Sequence, residues 1–353
     1  MTWKRVYPFE IAALLAVVAA VVFLRGHGLR IDWTTVRYTI PPMLRPTGVA
    51  LLAGIPLQLL YRALLRRPLR PYLRTVATWS WLSLWLRLWA AYMAVTYAYF
   101  WLKVSVPLVN PRLFDGALWQ LDRLLHLGLS PSVFATSLLA GTPLLGFFDT
   151  WYGWWLPSIF YGVAFFSASD DALFRRRLML SSVLIWGLGA WIYTAVPALG
   201  PCYASPDVFA ATHAEMPKAA AAQEALLDNY RQVIAGREGG TLRSFNPTRG
   251  VAALPSLHVG LHWLLFLWAW GQEREQRVVW LIATGLTFLA SVATGWHYAL
   301  DGYAGIALAQ LCWWAARRLE PSPLAPVAPE AAPPEPAPPG AAPTDTAASA
   351  PAV

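Results

Sequence analysis

A polytopic bundle of about eight membrane-spanning α-helices is the fold class this sequence predicts, and three observations carry it. Hydrophobic residues fill 57% of the 353 positions and charged residues only 13%, with a mean hydropathy of +0.44. The apolar residues gather into runs near the roughly 20 residues that cross a bilayer. Basic residues sit in short clusters between those runs, as in Arg66-Arg67-Pro-Leu-Arg70 and Arg175-Arg176-Arg177. A net charge of +8 and a pI near 9.7 would otherwise point to nucleic acid. Charge confined to connectors is the positive-inside pattern instead, so no nucleic-acid partner is expected.

In chain order, the first apolar run covers residues 10–24 behind Lys4 and Arg5. It reads as a retained span; a signal peptide is the alternative, but no small-x-small cleavage site precedes a mature domain. Further runs follow at about 47–65, 79–102, 144–166, 178–199, 255–271, 277–294 and 297–315. The apolar segment Ser132–Thr142 is too short to span and suits an interfacial helix. We divide the chain into a two-helix membrane extension (1–78), a six-helix membrane core (79–319) and a tail (320–353). The tail alternates proline with alanine, cannot bury a core and is expected to be disordered.

With the N-terminus inside, connectors 66–74, 170–177 and 272–277 and the Arg317-Arg318 pair are cytoplasmic, as is the tail. Loops 25–46, 103–143 and 200–254 then face outward, although Arg25, Arg30, Arg37 and Arg45 in the first of them run against the rule. This topology places Cys202 and Cys312 on opposite sides, so no disulfide is expected. Loop 103–143 holds an amphipathic stretch, Phe114 to His126, suited to the membrane surface. Its Asp115 and Asp122 are seven apart on one helix face, in a structural role or as a carboxylate pair. Loop 200–254 is long enough to be a lid and leads straight into a histidine.

The chemistry is expected in two half-sites, Ala253-Leu-Pro-Ser-Leu-His258 and Thr294-Gly-Trp-His-Tyr-Ala-Leu-Asp301. Pro255 and Ser256 suit the first turn of a helix, which puts His258 beside free backbone N–H groups and the positive end of the helix dipole. His297 and Asp301 are four apart, so a helix stacks them on one face. A carboxylate bonded to one ring nitrogen fixes the tautomer and leaves the other as a nucleophile or base. A lone histidine at a membrane interface is usually a packing residue, but two histidines and an aspartate at the ends of consecutive spans are functional by default.

His262 lies four residues after His258 and has no third ligand nearby, so no metal is expected. His27, His126 and His213 read as surface residues, and Trp296 and Tyr298 as part of an interfacial aromatic belt. Gly302 and Gly305 suit close helix packing. A transporter relaying protons through the same histidines is the alternative of another class. It predicts ionisable groups near mid-membrane, such as Arg87, whereas the groups here cluster at span ends.

Pro-Ser-Leu-His258 followed by Gly-Trp-His297-Tyr-Ala-Leu-Asp301 resembles the second and third signatures of the type 2 phosphatidic acid phosphatase superfamily. Leu257 where the phosphatases carry glycine, and the stretch Phe114-Asp115 through Leu121-Asp122-Arg-Leu-Leu, resemble its inositol phosphorylceramide synthase branch. The first signature, Lys-x6-Arg-Pro, is absent from the loop before His258; Lys103 followed by Asn110-Pro111 has similar spacing but lies in another loop. Ala290-Ser291 stands where the superfamily has Ser-Arg.

The resemblance implies a metal-free, cofactor-free enzyme in which His297 attacks phosphorus, Asp301 orients it and His258 is the acid and base. Its partners would be membrane lipids, a phospholipid donor and a lipid or alcohol acceptor, or water in a phosphatase. Candidates for holding the phosphate are the helix start at Ser256, Arg249 and Arg243 from the long loop, and then Lys218. Each of the three cations is otherwise an ordinary loop charge.

Overall fold

A computed structural model describes residues 6–31, 33–236, 241–242 and 246–321. Fifteen helices cover most of them: α1 Pro8–Gly26, α2 Trp33–Leu64, α3 Leu69–Val76, α4 Trp79–Val109, α5 Asp115–Leu125, α6 Pro131–Leu139, α7 Pro143–Gly153, α8 Trp155–Ser167, α9 Ala172–Ala195, α10 Pro201–Ala204, α11 Pro206–Ala210, α12 Pro217–Ala235, α13 Leu257–Ala269, α14 Arg274–Ala293 and α15 Ala299–Leu319. A two-residue parallel pairing joins Arg30–Ile31 to Thr241–Leu242. The expected disordered tail lies outside the described residues apart from its first two positions.

Among the described residues, α1, the Arg45–Leu64 part of α2, α9 and α14 are long and apolar enough to cross a membrane. With the other apolar helices they make an all-helical membrane bundle. α4 packs on α9 and α1, α13 lies between α14 and α15 and also touches α9, and α2 covers α8. Local chemistry sets the helix starts. Thr78 Oγ1 accepts the Trp81 N–H at the head of α4, and Asp171 accepts those of Leu173 and Phe174 at the head of α9. The outward faces of α1 and α2 carry Leu14, Leu15, Leu52 and Leu60 exposed, as surfaces that meet lipid do.

The run 144–166, read above as one span, is two helices, α7 and α8, that break at Trp154. Pro157 accounts for the break: it lacks the N–H a continuous helix would use, and its ring would strike the carbonyl of Gly153. Helix α2 extends well before residue 47, so much of the expected outer loop 25–46 is helical. Arg87, the ionisable group expected in mid-span by the transporter reading, is paired with Glu10 of α1, its Nε donating to Oε1 at 2.7 Å. At the same end of the bundle the buried Arg175 lies 4.2 Å over the Trp81 ring. Both cysteines are free and buried.

Helices α13 and α15 meet backbone to backbone. A Cβ placed on Gly260 would come within 2.7 Å of the Gly305 carbonyl oxygen. Neither helix can yield there without moving the residues at its N-terminus. Gly260→Leu is therefore expected to destabilise the bundle by about 1–3 kcal/mol or more, read as a lower unfolding temperature in detergent and a smaller monodisperse fraction.

Candidate functional site

The two histidine stretches meet at the N-terminal ends of α13 and α15. Ser256 caps α13, its Oγ accepting the Val259 N–H at 3.5 Å, and its own N–H donates to the Asp301 carbonyl at 2.8 Å. That bond ties one half-site to the other. His258 stands in the first turn of α13, as its capping sequence predicts.

His297 differs from expectation. Helix α15 begins only at Ala299, so His297 precedes it and the pair is not a stacked helical i, i+4 couple. Asp301, in the first turn, turns its Oδ2 back to accept the Tyr298 N–H at 2.9 Å. The same oxygen lies 3.2 Å from His297 Nδ1. The helix cap and the imidazole anchor are thus one carboxylate, fully buried with Oδ1 unpartnered. His297 Nε2 points away from it and lies 2.7 Å from His258 Nδ1. Tyr152 Oη lies 2.9 Å from that same His258 nitrogen, and the Trp155 ring stands edge-on to His258 with centroids 3.9 Å apart.

A carboxylate that holds Nδ1–H leaves the Nε2 lone pair of His297 free to attack an electrophile. The adjoining imidazole is placed to pass a proton to or from whatever enters between them.

His262 sits behind this pair. Its Nδ1–H donates to the His258 carbonyl at 2.7 Å, and Ser158 Oγ lies 2.9 Å from its Nε2, so both ring nitrogens are engaged in holding α13 against α8. No group of three or more metal-ligating side chains occurs among the described residues.

His258 and His297 open onto a cavity of about 380 Å³, within the size range of small-molecule sites. Lys103, Lys218, Asp149 and Tyr152 share its wall with them. Lys103 is the residue that sequence reasoning set aside. It lies near the end of α4, its Nζ 5.2 Å from the Tyr193 ring and 5.8 Å from the Tyr99 ring, on the same cavity as the histidines. The loop at Gly250 brings it there: a Cβ on Gly250 would be 2.9 Å from the Val104 nitrogen, so only a glycine lets that loop close on α4. The Lys103…Asn110-Pro111 spacing was the signal; chain distance from His258 hid it.

The other candidates divide. Lys218 lies on the cavity wall, and its Nζ donates to Thr150 Oγ1 at 2.9 Å. Arg249 is exposed and not on that wall, because its short helical turn directs the chain back to α12, where Asn229 Nδ2 donates to the Arg249 carbonyl. Ser256 is buried and spent on the α13 cap. Arg243 lies outside the described residues.

The two aspartates of α5 are engaged with backbone and a phenol. Asp115 accepts the N–H groups of Leu199 and Gly200, at 2.9 and 2.8 Å, and the hydroxyl of Tyr298 at 3.0 Å. Asp122 accepts the Leu300 N–H at 2.9 Å, and burial pushes its carboxyl above the ordinary carboxylate range. Both carboxylates therefore brace the backbone that carries His297 and Asp301. Tyr298 and Trp296, expected in an interfacial belt, are instead internal: Tyr298 is fully buried, and Trp296 stacks on Tyr152 at 5.7 Å. His126 is also no free surface residue, since its Nε2 lies 3.0 Å from the Tyr303 hydroxyl. Glycine at 200, with φ of +110°, lets the chain pass against the Trp296 carbonyl.

The long loop covers the site. Asp149 of α7 accepts the N–H groups of Lys218 and Ala219 at the head of α12, and Gln223 Nε2 donates to the Thr294 carbonyl at 2.8 Å.

An all-helical membrane bundle with a carboxylate–imidazole–imidazole chain on the wall of a basic cavity defines a membrane-embedded enzyme class. The profile of the PAP2 superfamily matches residues 116–315, and the chain belongs to that superfamily, whose members are phosphatases and phosphotransferases acting on lipids. Neither the curated proteins nor the solved structures contain a match to it.

Proposed function

We infer that this protein is an integral-membrane lipid phosphotransferase that moves a phospho-headgroup, phosphoinositol being the one its resemblance suggests, from a phospholipid to a lipid or alcohol acceptor. The observation that carries the reading is the Asp301–His297–His258 chain, with a carboxylate at one end and a cavity at the other.

In this scheme the donor phosphoryl group enters between the two imidazoles, which part to admit it. His297 Nε2 attacks phosphorus, an N–P bond forms, and the P–O bond to the leaving group breaks as His258 gives that oxygen a proton. His258 then takes the proton of the acceptor hydroxyl, whose oxygen displaces His297 from phosphorus. Asp301 holds the His297 tautomer and offsets the imidazolium charge. Tyr152 keeps His258 aimed once the two imidazoles have separated. Lys103 and Lys218 balance the phosphoryl oxygens, with Arg249 and Arg243 as further candidates from the loop. The proposed site faces the extracytoplasmic side, with both termini in the cytoplasm. No metal or cofactor takes part.

Lys103→Met is expected to lower kcat/KM by about 100-fold while leaving the bundle folded, since the residue replaced fills the same channel between the tyrosines. Steady-state kinetics beside a thermal melt in detergent checks this.

Purified protein incubated with labelled phosphatidylinositol plus ceramide or diacylglycerol, and separately with phosphatidate, tests the function. A new phospholipid without free phosphate supports transfer. Free phosphate alone makes water the acceptor and the protein a lipid phosphatase. No reaction in either mixture, or substrate flux across vesicles retained in His297→Ala, would overturn the phosphoryl-transfer reading.

A further inference from the structure

Helices α4 and α8 run antiparallel, and three long side chains bridge them and the turn after α8. Trp81 Nε1 donates to the Ser169 carbonyl at 2.9 Å, Trp89 Nε1 donates to Ser167 Oγ at 3.1 Å, and the Tyr92 and Phe160 rings meet edge to face at 6.0 Å. Above that last contact the cavity occupies the space between the two helices. Met93, Thr96, Phe100 and Lys103 line it from α4, and Phe160, Leu156 and Trp155 line it from α8. On α4 these positions recur every three or four residues, so that helix gives the cavity one continuous face.

The depth follows from helix geometry. Met93 and Lys103 are ten residues apart on α4, which is about 15 Å at 1.5 Å per residue. The polar end holds Lys103, Lys218 and the two histidines, and Met93 and Phe160 line the end farthest from Lys103 along α4. A phosphate needs only the first few ångströms of such a cavity. The remainder is apolar, descends into the bundle and would be of no use to a headgroup. One side of it is formed by Pro46 and Thr47 of α2, and Pro46 is exposed. A turn and more further along, the outer face of α2 presents Val49 and Leu52 at 56% and 73% exposure, so this wall divides the cavity from surrounding lipid.

We propose that the α4–α8 cleft is a hydrocarbon-chain site: it holds one aliphatic chain of the lipid whose phosphate lies at His297, and Met93 and Phe160 at its floor set the chain length accepted. The proposal rests on the phosphotransferase reading for the identity of the headgroup, but not for the occupancy of the cleft. A chain held there is aligned along α4 with its phosphate at the level of Lys103, so the fit of the chain in the cleft positions the phosphoryl group between the imidazoles. A chain too long for the floor forfeits that alignment, and a short one forfeits part of the binding.

Two experiments test it. In the first, a phosphatidate analogue with a diazirine at the end of one acyl chain is photolysed with the intact protein and with His297→Ala in lipid nanodiscs, and labelled peptides are mapped. Labelling at Met93, Tyr92 or Phe160 in both proteins is expected, whether or not either turns over substrate. Labelling confined to the outer faces of α1 and α2 in both would overturn the proposal and leave the phosphotransferase reading standing.

In the second, palmitoyl and octanoyl forms of whichever phospholipid donor the protein consumes are compared. Thr96→Phe, which fills the cleft midway, is expected to lower the palmitoyl-to-octanoyl ratio of kcat/KM about tenfold or more, and Phe160→Ala to shift the preferred length upward. An unchanged ratio in both folded variants would overturn the chain-length assignment. Loss of all turnover in the wild type, with labelling still in the cleft, would overturn the catalytic reading alone.

Discussion

His297→Gln is expected to lower turnover of a phospholipid donor by roughly 10⁴- to 10⁶-fold, the loss that follows removal of a nucleophile that works as a unit with its neighbours. Glutamine retains a polar side chain near Asp301 and adds no charge, so the lost rate reports the nitrogen that attacks phosphorus. His258→Ala should behave differently according to the leaving group. With a phospholipid, whose alkoxide leaves only when protonated, the variant stalls before any phosphoenzyme forms and loses about 10²- to 10⁴-fold. With p-nitrophenyl phosphate the leaving group needs no proton, so His297 becomes phosphorylated while the second step lacks its base. A phosphoenzyme labile to acid and stable to base should then accumulate, and rapid-quench labelling with 32P reads it directly. Phosphate trapped on another residue, or wild-type turnover in His297→Gln, would sink the assignment.

The contrast between the two variants follows from the geometry. Asp301 has one oxygen on the Tyr298 N–H and on His297 Nδ1, so only Nε2 of that ring can face the cavity. His258 meets it through Nδ1 and meets Tyr152 through the same atom. One ring is thus anchored from behind by a carboxylate, and the other is held from the side by a phenol. A ring that must form a bond to phosphorus needs the first arrangement. A ring that must give up a proton and then take another must not be locked by a carboxylate in one state, and the second arrangement leaves it free to do both.

Sequence made much of this legible because the information was local. Composition and the spacing of apolar runs gave the helical membrane bundle, Ser256 gave the start of α13, and Pro-Ser-Leu-His258 with His297 and Asp301 gave the residues that the structure brings together. What stayed hidden depended on contacts distant in the chain. Lys103 seemed to belong to another loop, since nothing in its surroundings shows that Gly250 folds the lid onto the end of α4. Tyr152 reads as one more aromatic residue of an apolar run until the break at Trp154 sets α7 at an angle from which the Tyr152 hydroxyl reaches His258. Tyr298 has the amphipathic form of an interfacial residue, and only the position of Asp115 shows that its hydroxyl is satisfied inside. The helical spacing of His297 and Asp301 suggested the right partners through the wrong geometry, because a capping carboxylate reaches the preceding residues as readily as a helical neighbour does.

Asp115→Ala should be the most damaging substitution away from the cavity. It leaves the Leu199 and Gly200 N–H groups and the Tyr298 hydroxyl without their acceptor. Each buried donor stripped of its partner costs about 1–3 kcal/mol, so the sum is a large part of what a protein of ordinary stability has to lose. Tyr298→Phe removes one of those bonds from the other side and should cost about 1 kcal/mol. If the two residues act through each other, the double variant will be less destabilised than the two single effects added together, with a coupling energy of about 0.5–3 kcal/mol. Thermal melts in detergent measure that cycle. Activity supplies the second axis: Tyr298 adjoins His297, so Tyr298→Phe should lower kcat while leaving KM for the donor near its wild-type value, because the Asp301–His297 anchor shifts and the chain-binding wall does not. Strict additivity of the two substitutions in stability, together with an unaltered kcat in Tyr298→Phe, would show that α5 supports the fold without aiming the catalytic histidine.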